Sequence, residues 1–356
     1  MIRLLIIDDS AFVRKTLQDE LSKHSDIEVV GTAGDPYIAR DKIAELRPDV
    51  LTLDLEMPRM DGLTFLARLM KYHPLPVVVV SSLAPENSAA ALKAFELGAV
   101  EVISKPGSQY SVPTDPGELA RAIRAAACSQ ISRRPDPAKQ PSLPDNTSFA
   151  HLETIHKVLA IGASTGGTQA IEVVLRELPA TTPGTVIVQH MPEQFTKAFA
   201  DRLSKICAME VREARDRDSV APGVALVAPG NHHMVLQRSG SIYQVQIKDG
   251  PPVYHQRPSV DVLFHSVARN AGVNAVGVIL TGMGADGARG LLAMREQGAR
   301  TIAQDEQSCV VYGMPKEAVK LGAVDIVAPL DRVAKTILAA LTTKQIKTIS
   351  GPGPGN

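Results

Sequence analysis

Short apolar runs alternate with amphipathic stretches of helical length along almost the whole chain, and this alternation constrains the fold more than any other feature. The first third carries RLLII, IEVVGTA, DVLTLDL, PVVVVSS and AVEVIS, each followed by a helical pattern. Strands that alternate with helices pair in parallel and connect by right-handed crossovers, which predicts a doubly wound five-stranded sheet. Ligands of such a sheet lie at the carboxyl ends of its strands. The alternation resumes near His156 with KVLAIG, GTVIVQH, GVALVAP, NAVGVILTG, ARTIAQD and VDIVAP, which predicts a second α/β domain. Within it, HMVLQRSGSIYQVQI reads as a β-hairpin inserted among the parallel units. Between the two domains SRRPDPAKQPSLPDNTS has four prolines and little to bury, the signature of a semi-rigid linker. The expected divisions are 1–125, a linker over 126–154, 155–345, and a disordered GPGPGN-containing tail over 346–356.

Composition removes several classes of function. Lys+Arg 38 against Asp+Glu 38 leaves no net charge to draw the chain to nucleic acid or an anionic membrane. An output half rich in strands, without a short basic helix-turn-helix, also argues against a DNA-binding factor. Cys128, Cys207 and Cys309 are too scattered for a disulfide framework or a zinc knuckle. No apolar run approaches the ~18 residues of a membrane span, and the N-terminus meets acids too early for a signal peptide, so a soluble, cytoplasmic protein is expected; a monomer is expected as well.

Asp8 and Asp9 follow the first apolar run and Asp54 follows the third, which gathers three carboxylates at one sheet edge. Such crowding is costly without a cation, and a hard, oxygen-rich site suits Mg²⁺. Ser81 ends the fourth run and Lys105 the fifth, where a hydroxyl and an ammonium could hold phosphoryl oxygens while Asp54 accepts the group. A single acid at a strand end is usually a solvated loop residue; five suitable side chains at the ends of four runs are not explained that way. In this pattern residues 1 to about 125 resemble response-regulator receiver domains, of flavodoxin-like fold. The resemblance implies phosphorylation of Asp54, metal ligation by Asp9, Asp54 and the Glu56 carbonyl, with Asp8 acting through water, a switch role for Ser81, and a cis peptide before Pro106. Val102 stands where many receivers carry an aromatic switch residue, so aromatic repositioning is not expected here.

In the second domain Gly162, Ser164 and Gly166 of IGASTGG satisfy G-x-S-x-G at the end of a strand. Glycines on both sides of a serine let the backbone turn sharply and expose the hydroxyl, and the following helix, about Gly167–Leu178, aims its amides at an oxyanion. A glycine-rich turn after a strand also cradles phosphates, so a phosphate- or nucleotide-binding module is the alternative, although G-x-G-x-x-G and a P-loop ending are both missing. His190 ends the next apolar run, where a parallel neighbour would present a base, and Pro192 can open the following helix. His232, His233 and His255 also lie near turns and compete for that role. The orienting carboxylate is expected at Asp286, in the glycine-rich LTGMGADGARG, with Asp305 as rival. Amides of Thr165 and around Met283 are the oxyanion candidates.

IGASTGGTQA, VIVQHMP, RPSVDVLF, LTGMGADGARG and VYGMPKEA resemble the blocks of the chemotaxis methylesterase (CheB) family, and with the receiver in front the likeness runs from Met1 to about Leu341. The resemblance implies a Rossmann-like esterase domain that hydrolyses glutamyl methyl esters on the cytoplasmic helices of chemoreceptors, with glutamine deamidation in some members. It implies Ser164, His190 and Asp286 as the catalytic residues, no cofactor for the ester reaction, the histidine kinase CheA as phosphodonor, and a receiver that restrains the esterase until Asp54 is phosphorylated.

Overall fold

The computed structural model describes residues 1–81, 88–105, 117–130 and 156–342. The expected cis peptide before Pro106, most of the linker and the tail lie outside them. The first unit runs β1 (Ile2–Ile7), α1 (Ala11–Leu21), β2 (Ile27–Ala33), α2 (Pro36–Leu46), β3 (Val50–Leu53), α3 (Gly62–Tyr72), β4 (Val77–Ser81), α4 (Ser88–Leu97), β5 (Glu101–Ser104) and α5 (Glu118–Ala127). Its strands pair in parallel in the order β2-β1-β3-β4-β5, the flavodoxin-like doubly wound arrangement. β3 and β4 are buried along their whole length, as strands covered by helices on both faces must be. Ser10, Asp35 and Asp61 start the first three helices, each accepting a bond from a first-turn amide.

The second unit runs β6 (Val158–Ala163), α6 (Gly167–Glu177), β7 (Gly184–Gln189), α7 (Glu193–Ile206), β8 (Glu210–Glu213), β9 (Val224–Val227), β10 (His233–Ser239), β11 (Ile242–Lys248), α8 (Val260–Asn270), β12 (Ala275–Ile279), α9 (Ala288–Glu296), β13 (Arg300–Gln304), α10 (Met314–Lys320), β14 (Ile326–Ala328) and α11 (Leu330–Thr342). Seven strands pair in parallel in the order β14-β13-β12-β6-β7-β9-β8. The expected hairpin forms between β10 and β11, but as a sheet of its own rather than part of the large one. β8 is the strand that the apolar-run pattern misses. Its sequence EVRE alternates charge with a single buried valine, because it pairs only with β9 at the sheet edge.

The two units meet along α4 and β5. Helix α4 packs on α6 and α7, and one apolar cluster runs from Phe95 and Val102 of the first unit to Ile171 and Phe199 of the second. Polar contacts stitch the rim: Arg202 Nε lies 3.0 Å from Glu96 Oε1, Gln169 Nε2 donates to the Phe95 carbonyl at 2.5 Å, and the Gln130 amide donates to the Val310 carbonyl at 2.9 Å. Val310 also packs against the cluster of the first unit that contains Leu119 and Ile123.

Candidate active site

The strand order of the second unit puts the ends of β6 and β7 side by side at the centre of the sheet. Ala163 is in register with Gln189, and the His190 amide donates to the Ala163 carbonyl at 3.1 Å, so Ser164 and His190 leave adjacent strands together. The turn after Ser164 passes through Gly166 at φ 77, a left-handed conformation that glycine adopts without the steric cost of a Cβ. Space matters there too, since a Cβ on Gly166 would lie 2.5 Å from the Val310 Cβ. The Ser164 amide donates to the Thr281 carbonyl at 3.0 Å, and the Gln189 side chain donates to the carbonyls of both Ser164 and His190 at 2.9 Å. One buried amide group thus fixes both strand ends.

His190 is buried, and its Nε2 lies 2.8 Å from Asp286 Oδ2. An ionised carboxylate can only accept, so Nε2 carries the proton and Nδ1 keeps its lone pair. Nδ1 is buried and, among the described residues, has no hydrogen-bond partner. Asp286 also accepts from Ser259 Oγ at 2.8 Å, the Val260 amide at 2.8 Å and the Asp261 amide at 2.9 Å. Burial pushes the Asp286 carboxyl up, but the His190 bond, with the two amides, outweighs it and holds the group below the ordinary aspartate value. The rival carboxylate, Asp305, is engaged with Ser308 Oγ at 2.5 Å instead. Of the rival histidines, His232 pairs with Asp249 at 3.3 Å and His233 lies under Pro251, bonded to its carbonyl at 3.0 Å.

Thr165 is buried directly after the serine, and Met283 is partly exposed on the loop beside it. That loop approaches closely: a Cβ on Gly282 would lie 2.7 Å from the Ser164 Cβ. Thr165 Oγ1 donates to Glu101 Oε2 of β5 at 2.9 Å, which brings the receiver to the serine turn. Burial in the seam pushes the Glu101 carboxyl up to about 7 against the Thr165 bond, and the charge of Glu118 adds to the rise. An acid beside this turn also opposes the phosphate-cradle alternative.

At the carboxyl end of the receiver sheet Asp8, Asp9 and Asp54 each offer an oxygen, all within 4.8 Å of one another. Lys105 Nζ lies 2.7 Å from Asp54 Oδ2 and 3.0 Å from Asp8 Oδ2. Burial raises the Asp54 carboxyl to about 6 even though Lys105 pulls it down, and Asp8 adds repulsion. A carboxylate cluster buried at Asp8 and Asp54 and open to solvent at Asp9, composed of hard oxygen donors that a single ammonium does not fully offset, fits Mg²⁺. The Glu56 amide donates to Asp54 Oδ1 at 3.2 Å, Ser81 is buried at the end of β4, and Val102 is buried in the position of the missing aromatic.

Sequence reasoning named the serine, histidine and aspartate but missed Ser259, Gln189 and Glu101. Only Ser259 carried a readable signal: a serine before the apolar periodicity of VDVLF is a helix N-cap pattern.

Fold and site together define a response regulator whose receiver is joined to an α/β output unit carrying serine, histidine and aspartate at the carboxyl ends of its strands. Residues 159–337 match the family model for CheB methylesterase, and residues 4–113 match that of the response regulator receiver domain. The chain belongs to the CheB methylesterase family. It is 58% identical over 339 residues to protein-glutamate methylesterase/protein-glutamine glutaminase 2 of Syntrophus aciditrophicus, covering 95% of this chain and 98% of the relative. It is 51% identical over 346 residues to the protein-glutamate methylesterase/protein-glutamine glutaminase of Salmonella typhimurium, covering 97% and 98%. The crystal structure of the Thermotoga maritima CheB methylesterase catalytic domain matches with a TM-score of 0.51 and 35% identity, over 51% of this chain and 97% of that one.

Proposed function

We propose that this chain hydrolyses methyl esters of glutamyl side chains on the cytoplasmic helices of chemoreceptors, and that phosphorylation of Asp54 releases the activity. The activity for which the relatives are named supports the reaction. The observation that carries the assignment of residues is the His190–Asp286 pair at 2.8 Å, with the other imidazole nitrogen unengaged at the strand end next to Ser164.

Ser164 Oγ attacks the ester carbonyl carbon as its proton passes to His190 Nδ1. The tetrahedral oxyanion accepts from the amides of Thr165 and Met283. Collapse breaks the bond to the methoxy oxygen, which takes the proton from His190 and leaves as methanol. Water, deprotonated by the same imidazole, then attacks the acyl-enzyme; Ser164 recovers its proton and the glutamyl carboxylate is freed. Asp286 stabilises the imidazolium formed in both halves. With an amide in place of the ester the same steps release ammonia, which is how glutamine deamidation would proceed.

In the receiver, Asp9, Asp54 and the Glu56 carbonyl, with Asp8 acting through water, would hold Mg²⁺, which when bound neutralises charge on a phosphoryl group arriving from the histidine kinase CheA. Lys105 holds the phosphoryl oxygens and Ser81 responds to them. The Glu101–Thr165 contact supports a restraint imposed on the serine turn by the unphosphorylated receiver.

Methanol release from methylated receptor membranes tests both parts. Ser164→Ala is expected to lower turnover on the order of 10³-fold or more, and a fluorophosphonate probe should label the wild-type serine alone. Phosphodonor should stimulate the wild type and leave Asp54→Asn unchanged; equal stimulation of both would refute the coupling and leave the esterase standing.

A further inference from the structure

His233 is a buried histidine that the reaction above does not use. Its Nε2 lies 3.0 Å from the Pro251 carbonyl, and the Ser259 amide donates to its Nδ1 at 3.2 Å. An imidazole that accepts an amide at Nδ1 and faces a carbonyl at Nε2 is the neutral Nε2–H tautomer, with both ring nitrogens satisfied. From the residue it holds, the chain turns into α8. Ser259 Oγ, the Val260 amide and the Asp261 amide, three successive donors, converge on Asp286 at 2.8, 2.8 and 2.9 Å. With His190 Nε2 at 2.8 Å, each Asp286 oxygen accepts two bonds, which leaves the carboxylate no alternative orientation.

We propose that His233 is a positioning residue for the ester reaction, acting on His190 through the backbone of Ser259 and the carboxylate of Asp286. The Ser259 amide is where the chain turns into α8, so its anchorage sets the direction from which all three donors reach Asp286. A tilt of that turn moves the carboxylate, and the carboxylate orients the imidazole. Serine hydrolysis is sensitive to this: misplacement of a reacting group by about 1 Å costs on the order of 10² in rate. Because His233 touches neither Ser164 nor the reacting atoms, its loss should lower kcat and leave KM unchanged.

The inference rests on the Ser164, His190 and Asp286 reading, and the experiment separates the two. Full-length wild type, His233→Asn, His233→Gln and Ser259→Ala are compared in the methylated-membrane assay with phosphodonor, alongside thermal unfolding. Asn places a carbonyl oxygen where Nδ1 stands and keeps the acceptor for the Ser259 amide. Gln reaches one bond further, towards Pro251, and loses that acceptor. His233→Gln and Ser259→Ala are expected to lose about tenfold in kcat, the rate equivalent of one hydrogen bond, with KM within about twofold of wild type. His233→Asn should recover most of the loss, and rates of fluorophosphonate labelling should follow the same order. A purely structural histidine would give variants whose kcat per folded molecule is unchanged, or an order that follows unfolding temperature rather than the acceptor. Either result overturns the proposal. A wild type without esterase activity would overturn the underlying reading instead.

Discussion

Ser164 is held by its own backbone: its amide donates to the Thr281 carbonyl, and its carbonyl accepts from Gln189 at 2.9 Å and from the Gly167 amide at 2.7 Å. These bonds fix the main chain on both sides of the side chain, which is what an oriented nucleophile would need. Gly282 shows how little room surrounds it. Any Cβ there would lie 2.4 Å from the Met314 sulfur and 2.7 Å from the Ser164 Cβ. Gly282→Ala should therefore slow methanol release and fluorophosphonate labelling by about 10- to 100-fold, at a stability cost of about 1–3 kcal/mol. Labelling at the wild-type rate in a folded variant would show that the loop yields and the serine does not depend on it.

At the scale of elements, two helix starts exchange carboxylates. Asp286, which precedes α9, accepts from the first amides of α8, while Asp261 in the first turn of α8 accepts from the Gly290 amide of α9 at 2.6 Å. Each positive helix end is covered by an acid from the other element, so the pair locks the orienting carboxylate into the fold. Strand β5 carries a second device. The Glu101 carboxyl, raised to about 7 by burial in the seam, favours the proton in the docked arrangement, and an undocked Glu101 returns to the ordinary value of 4.5. Docking is therefore strongest below that ordinary value and weakens as pH rises through the interval up to about 7, above which the loss is complete. Unphosphorylated wild type should show basal esterase activity that climbs with pH across this interval more steeply than that of Glu101→Gln; parallel profiles would show that Glu101 does not report on docking. These elements also mark how far the sequence could be read. Apolar runs located every strand buried on both faces, because burial leaves a compositional trace. β8 escaped since an edge strand such as Glu210–Glu213 shows charge instead. Ser164, His190 and Asp286 were legible because glycine turns and strand ends are local features. Glu101, Gln189 and His233 were not, because their roles depend on neighbours 64, 25 and 26 residues away along the chain.

At the scale of the whole molecule, the receiver covers the serine turn with the face formed by α4 and β5, and the last described residues of its chain touch the catalytic rim at Val310. The carboxylate cluster proposed to take the phosphoryl group lies at the carboxyl ends of the same sheet, with Lys105 immediately after β5. The proposed change in charge at Asp54 would therefore reach the seam through one short strand, since Lys105 follows β5 and Glu101 lies on it. A receiver unit supplied as a separate polypeptide should restrain the second unit poorly at micromolar concentration, and inhibition measured by methanol release should be far weaker than in the joined chain. Equal restraint from the detached receiver would mean that the seam alone is a tight interface.

The Gln130–Val310 bond, which pins the receiver's exit beside the catalytic rim, has a consequence for reversibility. If the receiver opens as proposed, its attachment beside that rim keeps it at a local concentration on the order of millimolar. Once the phosphoryl group is hydrolysed, reclosure is a first-order event that depends neither on how many copies the cell holds nor on a search through solution.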